Sequence, residues 1–299
     1  MRIADLRTPF VLIEMTRVRA NIRAMADRAG AAGVQLRPHA KTHKSAVIAK
    51  MQIEAGAVGV CCAKLGEAEV LADAGISDIR VPYPVNPANA DRVLALLPRT
   101  KLSIIVDDMD VAKGWSDAMT KAGATLDVLV KVDVGFHRCG INPSAVDAPE
   151  RVAFVASLPG LNFRGLLSHA GQAYHAATLD TCAMFIEATV VAKQSDRVIL
   201  DSGAKTLALD GARGFGSFPG HGLVIHMDGT PDETLLIERL SEEHATVKAL
   251  APTRLKIGDR VRVLPNHACV VTNLMDELVM AENGDATGAI KVDARGRIR

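Results

Sequence analysis

The chain has 299 residues, of which 48% are hydrophobic and only 3% aromatic, so its core must be packed mainly with aliphatic side chains. Lysine and arginine total 35 against 34 aspartates and glutamates, and the net charge of +1 argues against a nucleic-acid-binding surface and favours a small-molecule substrate. Without a secretory signal or an apolar run of ~18 residues, and with five irregularly spaced cysteines, we expect a cytoplasmic protein with reduced thiols and no membrane partner.

Between about residues 10 and 170, short β-branched runs alternate with alanine-rich stretches of helical spacing, which predicts an α/β fold. Consecutive apolar positions in several of these runs indicate parallel strands buried on both faces. The predicted strands are Phe10–Met15, Val34–Arg37, Val58–Cys62, Ile79–Val81, Leu102–Val106, Leu126–Val132 and Phe163–Leu167. Helices are predicted over Val18–Ala29, Leu65–Ala74 and Pro87–Leu97.

Beyond about residue 180 the long helical windows end and short strands follow one another. These strands are predicted at Ala188–Ala192, Arg197–Asp201, Ala245–Ala249, Arg260–Leu264 and Cys269–Thr272. We therefore predict an α/β domain over residues 1–178 and a mainly β domain over residues 179–299, with residues 1–15 as a possible addition to the β domain.

The densest polar cluster is the stretch LRPHAKTHK, residues 36–44, at the carboxyl end of a predicted strand, where α/β barrels carry their chemistry. Arg37, His39 and His43 place positive charge around Lys41, which lowers the pKa of an amine and lets it form an imine with an aldehyde. A solvated basic loop is the alternative interpretation.

Three further groups are candidates for chemistry. Arg138 ends the predicted strand of residues 131–140, where it can bind an anion or pair with Asp133. On a strand, His267 and Cys269 would point to the same face and could bind one zinc or similar ion, although a core cysteine beside a histidine is the plainer interpretation. His169, Tyr174 and His175 follow another strand as general-base or cofactor-wall candidates, or as loop caps, with His169 nearest the strand end.

Five stretches in chain order resemble the D-threonine aldolase and D-serine dehydratase family of fold-type III pyridoxal-phosphate enzymes, which are related to alanine racemase. They are residues 37–44 (RPHAKTHK), 56–62 (GAVGVCC), 67–71 (EAEVL), 131–140 (KVDVGFHRCG) and 265–269 (PNHAC). The resemblance implies a TIM-type (β/α) barrel with a C-terminal β domain, pyridoxal phosphate held by Lys41, and a homodimer. It also implies that Arg138, His39 and Tyr174 contact the cofactor and that a divalent metal (manganese, magnesium or zinc) binds at His267 and Cys269.

The implied reaction is cleavage of a β-hydroxy D-amino acid into glycine and an aldehyde, with His169 as base and the metal as Lewis acid. Because dehydratases of the family often carry cysteine where Cys269 stands, dehydration of D-serine, D-threonine or 3-hydroxyaspartate is the alternative. A racemase needs two bases on opposite faces of the imine, and the second domain contains no tyrosine to act as one of them. Both tyrosines of the chain, Tyr83 and Tyr174, precede that domain, so a racemase is disfavoured.

The sequence contains too few strands for the barrel that this resemblance implies. Without Phe10–Met15 we count six barrel strands where closure needs eight, so about two β/α units, on the order of 60 residues, are absent. That region carries the phosphate-binding loop in relatives, and the glycine-rich stretch 214–220 does not open a helix and is no substitute. A catalytically impaired, cofactor-binding protein is therefore a further alternative.

Overall fold

The computed structural model describes residues 1–170, 182–211 and 218–299. The chain divides into two compact units, each built from several segments. The unit that we call the β unit comprises Met1–Arg28, Thr42–Val47 and Tyr174–Gly296, and the α/β unit comprises Ala29–Lys41, Ile48–Ala173 and Arg297–Arg299. The predicted boundary at residues 178 and 179 lies outside the described residues.

Strands and helices are numbered in chain order. The strands are β1 (Phe10–Glu14), β2 (Val60–Cys61), β3 (Asp78–Pro84), β4 (Lys101–Val106), β5 (Leu126–Val132), β6 (Leu161–Ser168), β7 (Met184–Lys193), β8 (Arg197–Leu200), β9 (Leu223–His226), β10 (Pro231–Leu240), β11 (Ala245–Ala249), β12 (Arg260–Leu264), β13 (Glu277–Glu282) and β14 (Asp285–Lys291). The helices are α1 (Met15–Ala31), α2 (Ala46–Glu54), α3 (Leu65–Asp73), α4 (Ala90–Leu96), α5 (Met109–Lys121), α6 (Ala148–Ser157), α7 (Ala204–Leu207) and α8 (Ala268–Leu274).

The α/β unit is built on a five-stranded parallel sheet in the order β2-β3-β4-β5-β6. Neighbouring strands are consecutive in the chain, which is the order found in (β/α) barrels. The core on one face joins aliphatic side chains of the strands to those of the helices, and Trp115 of α5, fully buried, donates its indole N–H to the carbonyl of Val85. The α/β class is thereby confirmed, with five strands in place of the six predicted.

The missing strand is the one predicted at Val34–Arg37, and that prediction was wrong. The segment does run beside β2, because Val58 N–H donates to Leu36 and Cys61 N–H donates to Pro38, but only His39 forms a bridge, with Cys61. Proline has no N–H to give to a ladder, so Pro38 interrupts the pairing that a strand would need.

The β unit contains a nine-stranded sheet in the order β12-β9-β10-β11-β8-β7-β1-β13-β14, with β12 also paired to β7. β1 pairs antiparallel with β7 and parallel with β13, so residues 10–14 belong to this sheet. The mainly β character predicted for this region is confirmed. The sequence reading missed β9, β10, β13 and β14, and in β10 the reason is a burial pattern with few buried positions.

The strand predicted at Cys269–Thr272 was also wrong, because these residues lie in helix α8. The β-branched run Val270-Val271-Thr272 favours a strand by intrinsic propensity, but Val271 and Thr272 are fully buried in a helical turn. Tertiary packing overrides the local preference here. His267, with extended backbone, is the residue at which the helix begins.

Helix α5 shows how the sequence fixes a helix beside the sheet. Asp108 accepts hydrogen bonds from the N–H groups of Asp110 and Val111, which satisfies donors at the amino end of the helix. Gly123 follows the last turn with φ of 61°, the left-handed conformation that glycine adopts at low cost after a helix. None of the helices in the described part of the chain has the length and apolar character needed to cross a membrane.

Candidate functional site

The amine of Lys41 is held at the carboxyl end of the parallel sheet. Its Nζ donates a hydrogen bond to the hydroxyl of Tyr83, near the end of β3, at 3.0 Å, and lies 5.7 Å from the centroid of that ring. The backbone N–H of Lys41 donates to Nδ1 of His39 at 3.2 Å. Because His39 is itself paired with Cys61 at the sheet edge, these bonds fix both ends of the lysine.

Arg138 lies against two aromatic rings of the same unit. Its guanidinium carbon is 4.8 Å from the centroid of Tyr83 and 5.2 Å from that of Phe136. The ring of His169 meets Phe136 edge to face at 5.0 Å. Two rings therefore connect the guanidinium, the imidazole and the Lys41 amine. Arg138 and His169 follow the carboxyl ends of β5 and β6, and Lys41 reaches the same cluster through Tyr83 of β3.

Asp133 serves a different residue from the one that the sequence suggested. Its carboxylate accepts hydrogen bonds from the backbone N–H groups of His137 and Gly135, both at 3.0 Å, and lies 2.9 Å from Nδ1 of His137. These hydrogen bonds hold the pKa of Asp133 below its ordinary value, and the two from backbone N–H groups have the largest effect. Asp133 therefore shapes the turn that carries Arg138.

His169 is tuned toward its neutral form. Burial is the largest cause that lowers the pKa of His169, and the positive charges of Arg138, Lys131 and Lys41 lower it further. Lys131, which is 2% exposed, has its own pKa lowered mainly by burial. A neutral imidazole among cations can accept a proton at neutral pH, and the same cations attract anionic oxygens.

The β unit holds the second group of candidate residues. Nδ1 of His267 lies 2.6 Å from Oδ2 of Asp210, and Sγ of Cys269 lies 3.3 Å from the hydroxyl of Thr42. The contact with Cys269, followed by the contact with Asp210, raises the pKa of His267 against the opposing effect of burial. His267 and Cys269 thus meet at the amino end of α8, and not side by side on a strand as predicted.

The loop before α8 is fixed by Asn266. Its side-chain amide donates to the carbonyl of Gly220 at 2.9 Å and accepts from the N–H of Phe218 at 3.1 Å. This pair of bonds orients the loop that presents His267. Among the residues described, no group of three or more histidine, cysteine, aspartate or glutamate side chains is arranged to hold a metal ion.

The segment that follows Lys41 in the chain is held by hydrogen bonds to helix α8 and to residues 293 and 294. Lys44, which is 7% exposed, donates from Nζ to Oδ1 of Asn273 at 2.9 Å, and its carbonyl accepts from the N–H of Ala294. The N–H of Ala46 donates to Asp293 at 2.8 Å. The last three residues of the RPHAKTHK stretch, Thr42 to Lys44, therefore belong to the β unit and are anchored there.

Sequence reasoning found some of these residues and missed others. Lys41, His39, Arg138 and His169 lie in one connected cluster, whereas Tyr174 and His175 lie outside the described residues. The missed residues are Tyr83, Phe136, Asp210 and Thr42. A signal was available for Tyr83, which stands between two prolines at the end of a predicted strand.

Comparison with known proteins places the chain in a family. A family model described as "Alanine racemase, N-terminal domain" matches residues 13–213, and one described as "Putative serine dehydratase domain" matches residues 183–281. Among curated relatives, D-threonine aldolase of Arthrobacter sp. is 29% identical over 374 residues, covering 98% of this chain and 94% of the relative. The 3-hydroxy-D-aspartate aldolase of Paracoccus denitrificans is 37% identical over 176 residues, covering 58% of this chain and 45% of the relative.

A dehydratase is also among the relatives. D-threo-3-hydroxyaspartate dehydratase of Delftia sp. is 28% identical over 349 residues, covering 88% of this chain and 91% of the relative. The solved D-threonine aldolase from Filomicrobium marinum has a TM-score of 0.87 at 27% identity, covering 100% of this chain and 98% of that one. The chain therefore belongs to the alanine racemase N-terminal domain family, the fold-type III group in which pyridoxal phosphate is the expected cofactor, here with a C-terminal β domain.

Proposed function

We propose that the protein is a pyridoxal-phosphate- and divalent-metal-dependent lyase that cleaves β-hydroxy D-amino acids, in the manner of a D-threonine aldolase. The observation that carries the proposal is the Lys41 amine, fixed 3.0 Å from Tyr83 at the carboxyl end of the parallel sheet. Membership of the alanine racemase family and the similarity to aldolases support it.

The residues around Lys41 fit an aldehyde cofactor that carries negative charge. When bound, pyridoxal phosphate supplies an aldehyde for an amine to capture and a ring that withdraws electrons from the substrate. Lys41 offers the amine, and Arg138 and Lys131 offer positive charge close to it. His39 and Tyr174 are proposed as further contacts of the cofactor.

The chain's own part in the cleavage is proton transfer and orientation. His169, whose pKa is lowered, accepts the proton of the substrate's β-hydroxyl, and the bond between Cα and Cβ breaks as that oxygen forms a carbonyl. Arg138 binds the substrate carboxylate or a ring oxygen through its guanidinium. The electron pair of the broken bond is left with Cα, which takes up a proton from solvent, so the products are glycine and an aldehyde.

We propose that His267 and Cys269 hold the divalent cation. Their side chains are in contact, and imidazole with thiolate is a donor pair that suits zinc or another borderline metal. The cation would supply Lewis acidity to a substrate oxygen. With two protein donors proposed, the other coordination positions fall to solvent and substrate.

Dehydration is the second candidate function, and Cys269 is the observation that favours it. The residue lies within the part of the chain matched by the serine dehydratase domain, residues 183–281, and one relative is a 3-hydroxyaspartate dehydratase. In that reaction the same residues would remove the α-proton and the β-hydroxyl would leave as hydroxide, and hydrolysis of the resulting enamine by water would give a 2-oxo acid and ammonia.

We also propose that the chain works with a barrel shortened by about two β/α units. The alignment with the Arthrobacter aldolase extends over 374 residues, more than the 299 of this chain, so the relative contains residues without a counterpart here. If the lost part is essential, the protein binds the cofactor but does not turn over, which is the third candidate.

One assay separates the three. Purified protein is supplied with pyridoxal phosphate, manganese or zinc, and D-threonine, with Lys41→Ala as the matched control. Glycine and acetaldehyde indicate the aldolase, and 2-oxobutanoate with ammonia indicates the dehydratase. No product from a protein that binds the cofactor indicates the impaired form, and equal product from Lys41→Ala contradicts the proposal altogether.

We further propose that the working assembly is a homodimer in the cytoplasm, as the family resemblance implies. Sedimentation of the purified protein at micromolar concentration tests the assembly, and a monomer that retains full activity would contradict it.

A further inference from the structure

Tyr83 has a position that regular alternation along its strand would not give it. Ile79 and Val81 of β3 are buried in the core against the helices, while Arg80 between them turns to the opposite face and donates to Ser103. Continued alternation would send Tyr83 into the core with Ile79 and Val81.

The strand is interrupted just there. Val81 pairs with Ile104, but Pro84 pairs with Ile105, so β3 has two additional residues opposite β4. Pro82 and Pro84 have no N–H to donate to the ladder, and the residue before a proline is restricted to extended backbone. An irregularity of this kind re-aims a side chain, and it fixes Tyr83 through two rigid neighbours.

The re-aimed ring meets three groups of the cluster around Lys41. Its hydroxyl accepts the hydrogen bond from Lys41 Nζ at 3.0 Å, its face lies 4.8 Å from the guanidinium of Arg138, and His39 meets it edge to face at 6.0 Å. Two cations that repel each other are therefore attracted to one ring.

We infer that Tyr83 is the positioning residue of this site, whose hydroxyl aims the Lys41 amine for capture of an aldehyde and whose ring holds Arg138 for an anion. The inference rests on the proposed function. In the capture step, the ammonium first loses one proton to solvent. The neutral nitrogen then adds its lone pair to the aldehyde carbon, and the carbonyl oxygen leaves as water with the two remaining amine protons. Tyr83 is unchanged in this step and supplies direction.

The two roles can be separated by two substitutions. Tyr83→Phe removes the hydroxyl and keeps the ring, so Lys41 loses its acceptor while Arg138 keeps its contact. Tyr83→Ala removes both. Ser157→Ala, which removes an exposed hydroxyl from α6 of the same unit, is the matched control.

The primary readout is covalent attachment of pyridoxal phosphate to the apo-protein. It is measured by absorbance in a stopped-flow instrument and by the fraction of protein that carries the cofactor after borohydride reduction. Loss of a hydrogen bond to a charged group corresponds to a change of about tenfold or more in an equilibrium or rate constant. Tyr83→Phe should therefore lower the rate of cofactor attachment, and raise the cofactor concentration at half-saturation, by about that factor. Ser157→Ala should match the wild type. With substrate, Tyr83→Phe should lower kcat at unchanged KM, and Tyr83→Ala should also raise KM.

The outcomes are distinct from those of the proposed function. If the wild type itself forms no covalent bond with the cofactor, the proposed function fails. If the wild type does so and Tyr83→Phe attaches the cofactor equally fast and equally tightly, the inference about Tyr83 is overturned. Should Tyr83→Phe unfold, Tyr83→Trp takes its place with the same expectation, because an indole keeps the ring but accepts no hydrogen bond.

Discussion

Asp210 lies with its Oδ2 2.6 Å from Nδ1 of His267, and its side chain is only 15% exposed. A carboxylate at this position accepts a hydrogen bond from the Nδ1–H group of His267 and fixes the orientation of the ring. The lone pair of Nε2 is then available to a cation. Pairs of this kind are common behind metal-binding histidines, where the carboxylate raises the basicity of the ligand.

The first prediction is that Asp210→Asn weakens metal binding by about 10- to 100-fold, because the amide keeps the shape of the carboxylate but loses its charge. Titration calorimetry of the apo-protein with zinc or manganese measures it. Asp232→Asn is the matched control, since Asp232 lies 2.9 Å from Nε2 of His226 in the same unit. Equal metal affinity of Asp210→Asn and wild type would show that Asp210 does not support a metal ligand.

The second prediction concerns pH. Burial and neighbouring cations lower the pKa of His169 below the ordinary value of 6.5, so the protonated form dominates only at more acidic pH. If His169 is the base, activity falls on the acidic side of pH 6.5. Arg138→Gln removes one of the charges that lower this pKa, so the acidic limb should move to higher pH in addition to any loss of rate.

The pH dependence of kcat/KM for wild type and Arg138→Gln is the measurement. Lys113→Gln provides the charge control, because Lys113 is exposed on α5 and removing it lowers the net charge by the same amount. An acidic limb that stays in place in Arg138→Gln would assign the titration to a group other than His169.

The third prediction is structural. Lys44→Met should lower the free energy of unfolding of the protein by about 1–3 kcal/mol, because it removes the hydrogen bond from the buried Nζ of Lys44 to Asn273, whose Oδ1 still accepts from the N–H of Gly296. Lys248→Met, which removes a 53% exposed lysine 3.9 Å from Glu238, should cost at most about 1 kcal/mol. Urea unfolding followed by circular dichroism compares the two, and equal effects would contradict the anchoring role of Lys44.

The sequence predicted the elements whose signal is local. β5 has the predicted bounds, and β4 begins one residue before the predicted strand, because most positions in each strand carry aliphatic side chains that are buried in the core. The same local signal failed at Cys269–Thr272, where β-branched residues are helical, and at Val34–Arg37, where the following Pro38 interrupts the ladder.

The candidate site was predictable only in part, for the same reason. Arg138 and His169 stand in recognisable stretches that follow strands, and Lys41 stands in the recognisable stretch RPHAKTHK. The partners of the candidate residues, by contrast, are distant in the chain. Tyr83 is 42 residues from Lys41, Asp210 is 57 residues from His267, and Thr42 is 227 residues from Cys269. No periodicity reports such contacts, because they arise only when the strands and helices have assembled.

The central claim is that Lys41 is the one lysine that captures the cofactor, and borohydride reduction of the protein loaded with pyridoxal phosphate tests it most directly. After proteolysis and mass spectrometry, we expect the reduced cofactor on the peptide that contains Lys41, and none on the Lys41→Ala protein treated in parallel. A label on Lys44, Lys131 or another lysine, with Lys41 unmodified, would contradict the account.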